Sequence, residues 1–159
     1  GGYPGNDDEG RDMQKTMDQA KIQNDFVAAA NFLKSHSHSN GKLGAVGFCF
    51  GGYIVNYLAA VDSNLLSAGV PFYGTPASEN LRKNIKAPLL IQLGELDKRV
   101  NDTWPQYEQD LKANNVEYTM YMYKDANHGF HNDSTARYDK ANAELAWSRT
   151  IEFFNKKLI

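Results

Sequence analysis

Four apolar runs, separated by polar and glycine-containing segments, give the chain its basic pattern. They cover residues 43–48, 66–73, 87–94 and 118–123, and each has the length of a β-strand. The run at 87–94 is almost continuously apolar, which is typical of a strand that is buried on both faces. We therefore predict four core strands.

The segments around these runs carry apolar residues at helical spacing. They predict helices over 12–34, 53–60, 101–114 and 137–158, preceded by a turn-rich acidic loop over 1–10. The last helix is expected to pack inward through Ala143, Trp147, Ile151, Phe154 and Leu158. Strands that alternate with helices favour an α/β fold with a mostly parallel sheet flanked by helices.

Composition narrows the class of protein. A chain of 159 residues with 42% hydrophobic residues fits one globular domain, 1–159. The net charge of −2 argues against nucleic acid or an anionic membrane surface as a partner, and no apolar run reaches transmembrane length. The only cysteine, Cys49, has no partner for an internal disulfide, so we predict a reducing, cytoplasmic location.

The candidate chemistry centres on the elbow, residues 47–52, with the sequence Gly-Phe-Cys-Phe-Gly-Gly. A predicted strand ends here and a helix follows, and Cys49 takes the place of serine in the G-x-S-x-G nucleophile pattern. Gly47 and Gly51 lack Cβ atoms, which allows the backbone to crowd around the apex residue. The same residues also fit a buried, inert cysteine in a glycine-rich turn.

Two further residues of catalytic type follow predicted strands. Asp97 comes after the third strand and His128 after the fourth, so both are expected to meet Cys49 at the carboxyl edge of a parallel sheet. Their order along the chain, nucleophile, acid and base, is that of the α/β-hydrolases. Asp97 alone also fits a turn residue, and His128 a capping or core histidine, but their joint placement favours a catalytic triad.

Metal chemistry is not indicated by the remaining histidines. His36 and His38 lie two residues apart but have no cysteine or third histidine nearby in sequence. We interpret them as part of an exposed polar loop rather than as a metal site.

Three stretches resemble the dienelactone hydrolase family of the α/β-hydrolase fold. Residues 39–52 are similar to its nucleophile elbow, 94–97 to its acid loop and 128–130 to its histidine loop. The likeness extends from about residue 10 to the C-terminus. It implies hydrolysis of a small-molecule ester or lactone without a metal or an organic cofactor.

The resemblance also implies a role for each site residue. Cys49 is the nucleophile, His128 takes the thiol proton and later serves the leaving oxygen, and Asp97 orients the imidazole. The backbone N–H of Phe50 is one donor of the oxyanion hole. The arginine that binds a substrate carboxylate in the family has no counterpart in 129–133, so dienelactone itself is not the expected substrate.

Members of this family are longer than the present chain. We expect N-terminal strands of the fold to precede Gly1, so that the chain is the C-terminal part of an α/β-hydrolase domain. The preceding part would supply a second oxyanion donor and a glutamate that interacts with the cysteine.

Two alternative functions stay open. In the first, the chain is a catalytically silent family fragment that acts as a scaffold or is a remnant. In the second, Cys49 is a redox- or alkylation-sensing thiol. The sensor reading predicts fast thiol modification without ester turnover. The silent fragment predicts no turnover that depends on Cys49.

The strand at 43–48 is central in the full fold, so we expect its edge to need a partner. Unpaired apolar edges recruit other strands. We predict that the chain pairs with its N-terminal segment or associates with a copy of itself. Mass measurement and size-exclusion chromatography on one sample test this prediction, and a stable, monodisperse monomer of 17.8 kDa would contradict it.

Overall fold

The computed structural model describes residues 3–159, and Gly1 and Gly2, which fall in the predicted N-terminal loop, lie outside the described residues. Four parallel strands form one sheet with the spatial order β1-β2-β3-β4. The strands are Gly44–Phe48, Ala68–Phe72, Leu89–Gly94 and Tyr118–Tyr123. The prediction of a parallel sheet is confirmed.

Helices flank both faces of this sheet. Within residues 3–159 they are α1 (Asp7–Lys15), α2 (Gln19–Ser35), α3 (Phe50–Val61), α4 (Glu79–Arg82), α5 (Lys98–Asn101), α6 (Trp104–Ala113) and α7 (Lys140–Leu158). None of these helices combines the length and the hydropathy needed to cross a membrane.

The central strand β3 shows how the sheet separates two apolar cores. Leu89, Ile91 and Leu93 pack into the core that also contains residues of α2, α3 and α6, whereas Leu90 packs into the core beside α7. This alternation follows from the two-residue period of a strand. All six residues of β3 are buried, which explains why its sequence is nearly continuously apolar.

The N-terminal predictions were wrong in two respects. Helix α1 already begins at Asp7, because Asn6 caps it by accepting a hydrogen bond from the N–H of Glu9 at 2.9 Å. The single helix expected over 12–34 is in fact broken between α1 and α2. Asp18 caps α2 through the N–H of Lys21 at 3.1 Å, a capping signal that the helical spacing of apolar residues conceals.

The inward face expected for α7 was also partly wrong. Trp147 and Ile151 are 41% and 44% exposed, and the buried residues of this helix are Ala143, Ala146 and Thr150. Small side chains let α7 approach β2 and β3 closely. Phe154 and Leu158, by contrast, are partly buried as expected and lie next to Gly44 of β1. The buried Gln92 of β3 takes part in the contact between α7 and β3, because its amide donates to the Thr150 hydroxyl at 2.8 Å.

The outer edge of β1 has no hydrogen-bonded strand beside it within residues 3–159. Val46, in the middle of this strand, is 38% exposed. The edge therefore presents unpaired backbone groups next to apolar side chains. The expected association with a further segment or a second copy stays a prediction.

The first turn of α3 packs directly against the ends of β1 and β2. A Cβ atom on Gly47 would lie 2.1 Å from the carbonyl oxygen of Gly51, and one on Gly52 would lie 2.5 Å from that of Phe72. A Cβ atom on Gly51 would meet nothing within 4 Å. The crowding predicted for the elbow therefore leaves no room for a side chain at 47 or 52. At 51 a side chain would fit, and it is the backbone of Gly51 that lies close to Gly47.

This difference between neighbouring glycines gives a matched pair of variants. We expect Gly52→Ala to lower the free energy of unfolding by about 1–3 kcal/mol, because the added methyl group overlaps backbone that cannot move aside. Gly51→Ala is expected to leave stability unchanged or slightly raised, since its methyl group enters open space. Chemical denaturation of both variants measures the difference, and equal destabilisation would contradict the packing argument.

Candidate active site

Cys49 occupies the sharp turn between β1 and α3. Its backbone angles are φ 56° and ψ −113°, in the positive-φ region that L-residues rarely adopt. Such a conformation costs about 1–3 kcal/mol and persists only where surrounding structure enforces it. Here the N–H of Cys49 donates to the carbonyl oxygen of Phe72 at 3.1 Å, and the side chain forms no capping hydrogen bond with α3. The exposed thiol is therefore available for chemistry.

Asp97 lies in the acid loop, residues 95–97, between β3 and α5. Its side chain is only 5% exposed. One carboxylate oxygen, Oδ1, accepts a hydrogen bond from the N–H of Val100 at 3.4 Å and so caps α5. The other oxygen, Oδ2, is left to face His128. Asp97 is thus a turn residue, as one alternative held, and it also points its free oxygen at the histidine.

His128 lies in the histidine loop, residues 124–139, between β4 and α7. Two positions with positive φ, Asp125 at 57° and Gly129 at 80°, bend the loop back over the sheet. Phe130 is fully buried and anchors it against Tyr73 and Tyr123. This anchor holds the imidazole of His128 above the strand ends.

The acid loop and the histidine loop are bonded to one another. The N–H of Glu95 donates to the carbonyl oxygen of Tyr123 at 3.0 Å, and that of Leu96 donates to Ala126 at 2.9 Å. These bonds continue the β3–β4 pairing beyond the last strand residues. Asp97 and His128 therefore belong to one hydrogen-bonded unit rather than to two independent loops.

The structure brings Cys49, His128 and Asp97 together. The sulfur of Cys49 lies 2.9 Å from Nε2 of His128, and Nδ1 of His128 lies 2.5 Å from Oδ2 of Asp97. A carboxylate on Nδ1 favours the tautomer that carries its proton there. Nε2 is then free to accept the thiol proton of Cys49.

The predicted oxyanion donor, Phe50, is the first residue of α3 and directly follows Cys49. The first N–H groups of a helix have no acceptor within the helix, so the N–H of Phe50 is free to bind a substrate oxygen. The Phe50 side chain is 45% exposed and lies over a small cavity beside the thiol.

Two cavities open beside Cys49. The large cavity has a volume of about 450 Å³ and is lined by His128, Tyr73, His131 and Arg137, among other residues. The small cavity has a volume of about 190 Å³ and also borders Tyr73 and Arg99. Arg137, the arginine nearest in sequence to His128, thus lines the large cavity. It lies outside residues 129–133, the stretch in which the family's arginine was expected.

His36 and His38 lie away from these cavities, in an exposed turn after α2. Their rings are 5.3 Å apart, and the N–H of His38 donates to Nδ1 of His36 at 3.2 Å. Within residues 3–159 they belong to no cluster of three or more metal-binding side chains.

Sequence reasoning missed two residues that line the large cavity, Tyr73 and His131. Tyr73 directly follows β2, so the rule that located the other site residues at strand ends would have found it. His131 lies three residues after His128, and its ring packs against Phe48 at 5.0 Å and Trp147 at 5.9 Å. Its Nε2 is buried without a hydrogen-bond partner among the described residues.

The parallel sheet with flanking helices, and the nucleophile, acid and base positions after successive strands, define an α/β-hydrolase-like fold. Among solved structures, the chain is similar to a Klebsiella pneumoniae protein with the provisional name dienelactone hydrolase. The TM-score is 0.77 at 27% sequence identity, over 89% of this chain and 63% of the other.

Sequence comparison identifies the family. The profile of the dienelactone hydrolase family matches residues 3–158, and the chain belongs to this family. It is 33% identical to "Protein usf" of Aquifex pyrophilus, over 96% of this chain and 68% of that protein. It is 30% identical to the carboxymethylenebutenolidase of Pseudomonas putida, over 81% of this chain and 55% of that enzyme. The chain thus spans between about half and two thirds of the length of these relatives.

The partly buried imidazole of His131 predicts a pH dependence of stability. Burial lowers the pKa of His131 below its ordinary value of 6.5. As the pH falls through 6.5, the unfolded chain therefore binds more protons at this position than the folded protein, and the free energy of unfolding decreases. His131→Phe keeps the aromatic packing and removes this contribution.

We expect the His131→Phe variant to lose less stability than the wild type between about pH 7 and pH 5. Chemical denaturation of both proteins across this range measures the two slopes. Identical slopes would show that His131 does not titrate differently in the folded and unfolded states.

Proposed function

We propose that this protein hydrolyses small esters or lactones with Cys49, His128 and Asp97 as a catalytic triad. The observation that carries the proposal is the unbroken contact from the exposed sulfur, through the imidazole, to a buried carboxylate, with distances of 2.9 and 2.5 Å. Membership of the dienelactone hydrolase family supports it. So does the name carboxymethylenebutenolidase of the Pseudomonas relative.

In the first half of the reaction, Nε2 of His128 accepts the thiol proton and the sulfur of Cys49 attacks the ester carbonyl carbon. A carbon–sulfur bond forms, and the carbonyl π electrons move to oxygen. The N–H of Phe50 stabilises this oxyanion. When the electrons return, the carbon–oxygen bond to the leaving group breaks, and the imidazolium of His128 donates its proton to the departing oxygen.

The second half hydrolyses the thioester that remains on Cys49. His128 accepts a proton from water, and the resulting hydroxide attacks the thioester carbonyl. The carbon–sulfur bond breaks, the acid product leaves, and the sulfur recovers its proton from His128. A lactone follows the same course, except that its alcohol and acid ends leave as one molecule.

Asp97 contributes through its burial. With 5% of its side chain exposed, its negative charge is weakly screened by water and stabilises the positive imidazole that forms in both half-reactions. Its second hydrogen bond, from the N–H of Val100, fixes the carboxylate orientation. The carboxylate therefore positions the imidazole and stabilises the positive charge that forms on it during the reaction.

Turnover of p-nitrophenyl acetate and of an aryl lactone tests the proposal. We expect Cys49→Ala to lower kcat/KM by at least about 10³-fold, and Asp97→Asn by about 10²–10⁴-fold. Because Cys49 is the only cysteine, one equivalent of iodoacetamide should abolish activity as well. Asp102→Asn is the matched control, since Asp102 pairs with Lys98 on the surface and lines neither cavity.

Two outcomes would refute the enzymatic proposal. Equal rates for the wild type and Cys49→Ala would mean that the hydrolysis does not depend on the triad, as expected for a catalytically silent family member. Rapid alkylation of Cys49 with no ester or lactone turnover would instead favour a sensing thiol.

A further inference from the structure

Cys49 and Tyr73 stand side by side at the ends of two neighbouring strands. Phe48 of β1 pairs with Phe72 of β2 in the parallel register. Cys49 directly follows Phe48, and Tyr73 directly follows Phe72. Both have positive φ angles, 56° for Cys49 and 37° for Tyr73. The N–H of Tyr73 donates to the carbonyl oxygen of Gln92 at 2.8 Å, which holds this conformation in place. Unfavourable backbone angles in non-glycine residues concentrate at functional sites.

The ring of Tyr73 is buried between His128 and Phe130. The residue is only 2% exposed. Its ring meets His128 edge-on, with centroids 5.0 Å apart, and meets Phe130 at 5.5 Å. Tyr73 lines both the large and the small cavity, and Cys49 is the one other residue that these two cavities share. The ring is thus a wall beside the sulfur.

The hydroxyl of Tyr73 keeps a proton that it can donate. Burial, followed by the nearby charge of Cys49, raises the pKa of Tyr73 to about 12, while the N–H of His131 and the guanidinium of Arg137 oppose this shift. The phenol is therefore neutral over the whole physiological range. No side-chain hydrogen bond among residues 3–159 uses the Tyr73 hydroxyl, and none joins it to the sulfur of Cys49, whose side-chain contact is with Nε2 of His128 at 2.9 Å.

We propose that the Tyr73 hydroxyl donates a hydrogen bond to the sulfur of Cys49 when the thiol has lost its proton. The inference rests on the proposed role of Cys49 as nucleophile and adds a second donor beside His128. A thiolate accepts more than one hydrogen bond, and donors on two sides hold it in the direction of the large cavity. Tyr73 is thus a residue that activates and positions the nucleophile, in addition to the triad.

Tyr73→Phe isolates the hydroxyl, because phenylalanine keeps the ring that packs on His128 and Phe130. Without the donor the thiolate is less stable, and the midpoint of Cys49 ionisation should rise by about one pH unit. At pH values well below the wild-type midpoint, one unit corresponds to a roughly tenfold lower thiolate fraction, so alkylation by iodoacetamide should slow about tenfold in that range. Circular dichroism checks that the variant is folded.

The pH profile of the alkylation rate reports on Cys49 alone, because the chain has no other cysteine. Tyr57→Phe is the matched control, since Tyr57 stacks on Tyr53 in α3 and lines neither cavity. We expect its profile to equal that of the wild type. A Tyr73→Phe profile that also equals the wild type would overturn the inference.

Ester turnover separates this inference from the proposed function. If the wild type hydrolyses p-nitrophenyl acetate in a Cys49-dependent manner and Tyr73→Phe keeps the wild-type alkylation profile, the triad stands and the role of Tyr73 fails. If the wild type shows no Cys49-dependent turnover, the proposed function fails, whatever the alkylation profile of Tyr73→Phe. A shifted midpoint together with a lower kcat/KM for Tyr73→Phe supports both.

Discussion

The close approach of α3 to the ends of β1 and β2 is the constraint on which the site depends. The backbone of Gly51 occupies the space that a side chain at Gly47 would need, and Gly52 lies against the carbonyl of Phe72. With these contacts in place the chain has only a sharp path between strand and helix. Cys49 must therefore adopt a positive φ angle, and its sulfur lies 2.9 Å from Nε2 of His128.

The same constraint organises the partners of the thiol. Because the sheet is parallel, all strands end at one edge, and the residues that follow them are brought within reach of the elbow. The acid and histidine loops add their own bonds, including the one from Leu96 to Ala126, which tie the loops of Asp97 and His128 together. Burial of Phe130 anchors the histidine loop and so holds the imidazole of His128 in place. The arrangement of Cys49, His128 and Asp97 is thus a consequence of strand order, loop pairing and one buried aromatic ring.

Sequence reasoning was most reliable where one physical signal dominated. All four strands were located from their apolar runs, and in β2 and β3 the run is long because every residue of the strand is buried in the parallel sheet. The helix ends were less well predicted, because capping by Asn6 or Asp18 depends on single polar residues that compete with the apolar pattern. The inward face of α7 was misjudged because close packing on the sheet selects small residues such as Ala146, rather than the large ones that a hydrophobic pattern emphasises.

The amino-acid sequence alone determined the parallel α/β architecture, the elbow at Cys49 and the order in which Asp97 and His128 follow it. These features depend on local patterns and on the rule that parallel strands end at one edge. Only the tertiary structure decided the distances among the three residues and the close packing of the Tyr73 ring against His128. Those properties depend on strand register and on backbone angles, which are set by contacts between segments far apart in the chain and have no local sequence signal.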